Sequence, residues 1–159
     1  IQEDPKKASA FLLDFSDLFR YLLDHGQKQL VSVQVELDFA MKYFNLIRHK
    51  YGEAYQLTCN FSEEISGEIP ALSLQLLIEN AVQHNLGTEK DPVEITVCVE
   101  SGLIVRNTFK PKMYKKKTGG RSLQNLRTQF EMLGDKKMEI RQSEDDFEVI
   151  LPILNEHNH

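Results

Sequence analysis

Cysteine is scarce in this chain: Cys59 and Cys98 are the only two in 159 residues. Each lies in an apolar, strand-like stretch with no Cys or His partner at metal-ligand spacing. That pattern argues against a disulfide or a zinc site and for a reduced, cytosolic setting with two buried thiols. Basic charge is also in deficit, with 19 Lys and Arg against 24 Asp and Glu and a formal net charge of −5. A nucleic-acid surface needs a basic excess to displace counterions, so no nucleic-acid partner is expected. No run approaches the roughly 18 apolar residues of a membrane span, and no signal peptide is present. No nucleophile motif and no Rossmann-type glycine fingerprint occurs either. The chain begins at Ile1 rather than Met, which is expected of a piece cut from a longer protein.

What is present is concentrated between Pro70 and Gly87, a stretch that reads as one helix with two chemically opposed faces. At about 100° per residue, Leu74, Leu77, Ile78, Ala81 and Val82 gather on one side. Glu79, Asn80, Gln83 and His84 fall within an arc of roughly 140° on the other. A solvated helix face usually carries Lys and Glu. This one carries a carboxylate, two amides and an imidazole, donors of the kind that hold a metal ion and phosphate oxygens. By pattern alone, an ordinary amphipathic helix whose polar side lacks lysine reads the same way.

At 41% hydrophobic the chain can bury a core and fits one compact domain with a helical extension. Residues 8 to 24 place Ala8, Phe11, Leu12, Phe15, Leu18, Phe19 and Leu22 at helical spacing, ending near His25-Gly26. Val33 to Lys50 repeats the pattern with Val33, Leu37, Ala40, Met41, Phe44 and Ile47, followed by Tyr51-Gly52. Together they read as a helical hairpin, either packed on the domain or serving as a dimerisation region. Tyr55 to Phe61 reads as a short strand, and Phe61 to Ile69 as a loop leading to Pro70 in the first turn of the two-faced helix. Val93 to Val99 alternates, Ser101-Gly102 turns the chain, and Leu103 to Asn107 returns. Lys137 to Arg141 and Phe147 to Leu151 form a last pair around the acidic turn Ser143 to Asp146. The expected fold is α+β: a two-layer sandwich whose largely antiparallel sheet is covered on one face by helices. The expected divisions are 1–52 for the hairpin, 53–154 for the sandwich and 155–159 for a tail.

Between the sheet hairpins lies Phe109 to Gly120, with Lys110, Lys112, Lys115, Lys116 and Lys117 before Thr118-Gly119-Gly120. One reading is a surface loop with ordinary solvated charge. The other is a lid whose lysines attract a triphosphate, and whose glycines let backbone N–H groups approach it at the start of the next helix. That helix is predicted by the spacing of Leu123, Leu126, Phe130 and Leu133.

In order and spacing, Pro70, Leu74-Gln75, Glu79-Asn80-Ala81 and His84 resemble the N-box of the LytS-like sensor histidine kinases, within the GHKL ATPase superfamily. The resemblance continues upstream, in Phe15-Ser16-Asp17-Leu18-Phe19-Arg20-Tyr21, Val33-Gln34-Val35-Glu36, Tyr43 and Lys50-Tyr51-Gly52. It continues downstream to Phe147-Glu148-Val149-Ile150-Leu151-Pro152, close to the family's terminal strand. It implies a GHKL (Bergerat) fold, ATP and Mg²⁺ as cofactors, Asn80 as the Mg²⁺ ligand and Glu79 as a candidate base. Gln83 and His84 would lie near the phosphates, with Lys115, Lys117, Thr118, Gly119 and Gly120 in the lid and Asn125 in the glycine box. A response regulator as partner, a homodimer through the N-terminal helices, and a cytoplasmic domain whose parent is anchored in the bacterial inner membrane are implied in the same way.

The departures from the family are specific. The glycine box, usually Gly-x-Gly-Leu-x-Asn, reads Gly120-Arg121-Ser122-Leu123-Gln124-Asn125. The Asp-x-Gly-x-Gly adenine box is replaced by Val105-Arg106-Asn107-Thr108, where Asn107 could accept the adenine hydrogen bond through an amide, a weaker acceptor than a carboxylate, and Arg106 would add positive charge. The phosphoacceptor histidine helix has no counterpart. Two functions therefore stand: the Mg-ATP-binding domain of a histidine kinase acting on a histidine outside this chain, or a degenerate fold relative that works by dimerisation or partner docking.

Overall fold

The computed structural model describes residues 5–25, 30–61, 64–113 and 123–155. In chain order its elements are α1 (Pro5–His25), β1 (Leu30–Ser32), α2 (Val33–Tyr51), a 3₁₀ turn (Gly52–Ala54), β2 (Tyr55–Asn60) and β3 (Glu68–Pro70). Then come α3 (Ser73–His84), β4 (Val93–Val99), β5 (Leu103–Thr108), α4 (Leu123–Leu133), β6 (Glu139–Gln142) and β7 (Asp146–Leu151).

The helix ends follow local chemistry. The Ser32 hydroxyl accepts the Val35 N–H at 3.1 Å and opens α2, whose last turn carries Arg48, His49 and Lys50 against the negative end of the helix dipole. Gly52, at φ 61, ends it with its N–H on the Arg48 carbonyl, a left-handed conformation that glycine adopts without a Cβ penalty.

The five-stranded sheet runs β2-β4-β5-β7-β6. Only the β2–β4 pair is parallel, as expected when the connection between two strands carries a helix, here α3. Alternation sends Val93, Ile95, Val97, Leu103, Val105, Val149 and Leu151 to one face. There they form a core with Leu37 and Phe44 of α2, Leu74, Leu77, Ile78 and Ala81 of α3, and Leu126 and Phe130 of α4. On the opposite face Arg106 reaches Glu148 at 2.6 Å, and Arg141 stands 4.0 Å from the same carboxylate. The fold is thus the two-layer α+β sandwich predicted, a mostly antiparallel sheet covered by helices.

Two details differ from the sequence expectation. The stretch before α3 is not loop throughout, and Pro70 is not in a helical turn. Glu68–Pro70 pairs antiparallel with Leu30–Ser32 as a separate two-stranded sheet. Leu72, left-handed at φ 68, separates that strand from α3, and the Ser73 hydroxyl donates to the Pro70 carbonyl at 2.6 Å. The thiols are free but partly rather than fully buried. Cys59 is in register with Val97 and Cys98 with Asn60, so side-chain alternation puts the two on opposite faces of the sheet. Burial raises the pKa of each thiol, with Glu100 adding to the effect at Cys98.

Helix α1 lies along α2, with the Phe11 ring edge-on to His49 at 5.7 Å. It leaves Leu12, Leu13 and Phe15 between 52% and 68% exposed. No helix among the described residues is long and apolar enough to cross a membrane.

Candidate functional site

The polar face of α3 divides into two rows one helical turn apart in spacing. In the first, Gln75, Glu79 and Gln83 stand at i, i+4 and i+8. The Gln75 side-chain amide donates to Glu79 Oε2 at 2.6 Å and that of Gln83 to Oε1 at 3.1 Å, so Glu79 is held from both sides. This row faces α2. The Tyr43 hydroxyl there has its pKa raised above the ordinary 10.0, by burial first and the Glu79 carboxylate second, against a hydrogen bond from Gln75. The folded state therefore keeps the Tyr43 proton where the unfolded chain releases it. This contribution to stability is complete below pH 10.0 and declines as pH rises beyond it. Thermal melts from about pH 9 to about pH 11 should show a steeper alkaline loss for the unsubstituted protein than for Tyr43→Phe. Identical slopes would remove this account of Tyr43.

The second row, Asn80 and His84, opens on a cavity of 270 Å³ lined also by Asn85, Phe109, Pro111, Leu123, Gln142 and Phe147. Helix α3 supplies one wall, the first turn of α4 another, and the ends of β6 and β7 the floor. Two aromatic rings, a proline and a leucine therefore face three amides and an imidazole, a combination suited to a flat, partly apolar ligand carrying polar groups. Among the described residues no group of three or more His, Cys, Asp or Glu stands close enough to hold a metal ion. Of the donors in this row, the Asn80 amide oxygen is the kind that suits Mg²⁺, which would take most of its shell from waters and ligand phosphates, whereas an imidazole nitrogen suits softer metals.

Asn85, which the sequence pattern does not single out, organises the cavity mouth. Its side-chain nitrogen donates to the Ala81 carbonyl at 2.9 Å and closes α3, while its oxygen accepts the Lys110 N–H at 2.8 Å. The Tyr55 hydroxyl donates to its carbonyl at 2.7 Å. Two further backbone bonds, Leu86 N–H to the Lys110 carbonyl and Lys112 N–H to the His84 carbonyl, fasten the segment 109–112 along the end of α3. The only sequence signal for this role is an asparagine directly after a helix, a common capping position.

The remaining predicted residues divide by position. Asn107 is buried and on the helix-facing side of β5, with its amide nitrogen bonded to the Thr108 carbonyl at 2.8 Å, and it is not among the residues that line the cavity. Arg106 does not bring charge to this site. One residue from Asn107 in a strand, it points to the opposite face and pairs with Glu148. Lys110 is likewise turned away, its ammonium on the Asp91 carboxylate and on the Pro92 carbonyl. Glu79 and Gln83 sit in the row beside the cavity, and Asn125 is exposed on α4 outside the lining. Lys115, Lys117, Thr118, Gly119 and Gly120, with Lys116 and Ser122, lie outside the described residues. Phe109, Pro111, Gln142 and Phe147 join the site through tertiary placement, for which no local sequence signal exists.

Comparison with known proteins finds similarity to sensor histidine kinases. A family model described as histidine kinase matches residues 1–55. The sensor protein LytS of Bacillus subtilis is 31% identical over 99 residues, covering 62% of this chain and 17% of the relative. That of Enterococcus faecalis is 28% identical over 102 residues, covering 64% and 17%. Over about two thirds of its length the chain is thus similar to sensor proteins of the LytS kind, and it spans about 17% of the length of these relatives. A solved cytoplasmic segment of the histidine kinase QseC aligns with 94% of this chain and 96% of its own at 17% identity, with a TM-score of 0.40.

Proposed function

We propose that the chain is the Mg-ATP-binding part of a two-component sensor histidine kinase, and that the cavity beside Asn80 and His84 receives the nucleotide. The observation that carries this reading is the convergence of the Asn80–His84 row with an aromatic-walled cavity in a chain whose N-terminal third matches the histidine kinase family. Asn80 would hold Mg²⁺ through its amide oxygen, and His84 would contact phosphate oxygens. Phe109 and Phe147 would cover the base. Bound Mg-ATP supplies the phosphoryl group, whose bond to ADP breaks as its bond to a histidine nitrogen forms.

Most of what the protein contributes in such a transfer is positioning and charge stabilisation. Glu79 stands outside the nucleotide cavity on the side toward α2, held by Gln75 and Gln83. There it would take the proton of an incoming imidazole without occupying the phosphate site. The exposed Leu12, Leu13 and Phe15 of α1 suit a helical interface with a second copy, and a response regulator would accept the phosphoryl group from the histidine.

The test is a thermal melt with ATP and Mg²⁺. At a hundredfold excess over the dissociation constant, binding stabilises the fold by about 2.7 kcal/mol, which for a chain of this length raises the melting temperature by roughly 5–10 °C. A folded sample whose melt is indifferent to nucleotide would instead support a scaffold that docks a protein partner.

A further inference from the structure

We propose that Gln142 reads the base edge of the nucleotide and sets a preference for adenine, an inference that rests on the nucleotide reading of the cavity. One rung of the sheet carries the argument. Ile95, Asn107, Phe147 and Gln142 are in register across β4, β5, β7 and β6. Their neighbours Arg106, Glu148 and Arg141 meet on the opposite face, so alternation puts these four on the helix-facing side, with Gln142 exposed at the sheet edge where it also borders the hollow on the other face. Phe147 and Gln142 line the cavity and Asn107 does not.

The other amides in the lining are assigned. Asn85 uses its nitrogen on Ala81 and its oxygen on Lys110, and Asn80 stands in the α3 row with His84. The Gln142 side chain has no hydrogen-bond partner among the described residues, and it stands beside the Phe147 ring on which a base would lie. A carboxamide presents an acceptor and a donor side by side. That pair matches the amino hydrogen and N7 of adenine and mismatches the 6-oxo group of hypoxanthine. Gln142 would thus present that pair to the base from β6, while Asn107 does not line the cavity.

The experiment is a binding titration of ATP and ITP, each with Mg²⁺, against the unsubstituted chain, Gln142→Leu and Gln142→Glu, with a melt of each to show that it is folded. The unsubstituted chain should prefer ATP by about tenfold, the scale of one or two lost hydrogen bonds at a binding site. Gln142→Leu should lose that preference, with ATP affinity falling more than ITP affinity, because the amide donor can bond N7 of either base while its acceptor serves only the amino group of adenine. Gln142→Glu should keep it, because the acceptor for the amino group remains. A preference that survives in Gln142→Leu overturns the proposal. Equal binding of ATP and ITP by the unsubstituted chain overturns it while leaving the nucleotide reading intact. Binding of neither overturns both.

Discussion

Asn80→Ala is expected to weaken Mg²⁺-dependent nucleotide binding by about 10- to 150-fold, because it removes a contact between a polar side chain and a charged ligand. The fold should hardly notice. Asn80 is half-buried on the polar face of α3, whereas the helix is held by Leu74, Leu77, Ile78 and Ala81 in the core. Alanine is also the better helix former. The stability without nucleotide should therefore stay within about 1 kcal/mol of the original. The two readouts must separate. Lost binding with an unchanged melt supports the assignment, and unchanged binding in a folded variant rejects Asn80 as the metal contact.

The largest expected effect on stability belongs to a residue outside the cavity. A Cβ at Gly87 would stand 2.1 Å from the Ala54 carbonyl oxygen and 3.1 Å from the Val93 nitrogen. Both neighbours are backbone at the point where β2 and β4 begin their parallel pairing, Tyr55 opposite Val93. Neither can rotate aside. The Gly87 N–H also donates to the Tyr55 hydroxyl at 3.3 Å, and that hydroxyl in turn donates to the Asn85 carbonyl. Gly87→Ala should therefore cost about 3 kcal/mol, lowering the melting temperature by roughly 6–12 °C, and should loosen the Asn85 contacts at the cavity mouth. A melt within a degree of the original would show that the β2–β4 junction relaxes at no cost.

Legibility in the sequence followed the length of each periodic signal. Helices α2 and α3 carry their apolar residues at 3.6-residue spacing for several turns, and β4 alternates strictly, so each was readable. The pairing of Leu30–Ser32 with Glu68–Pro70 was not, since three residues are too few to show a period. Leu72 in a left-handed conformation gives no warning in a leucine. The helical wheel placed Glu79, Asn80, Gln83 and His84 on one polar arc, but only the neighbours decide how that arc divides. Packing of α2 claims the row of Glu79 and Gln83, and the end of the sheet and the segment 109–111 claim Asn80 and His84. Arg106 and Asn107 are adjacent in sequence and opposite in space for the elementary reason that a strand has period two. Gln142 had no sequence signal at all, because its place beside Phe147 depends on the register of a hairpin.

The cavity beside Asn80 is expected to receive a nucleotide with Mg²⁺. Titration calorimetry of this chain with ATP, in the presence and absence of Mg²⁺, tests it most directly. A saturable heat that needs Mg²⁺ is the predicted result. A folded protein that gives no heat with ATP under either condition would contradict it.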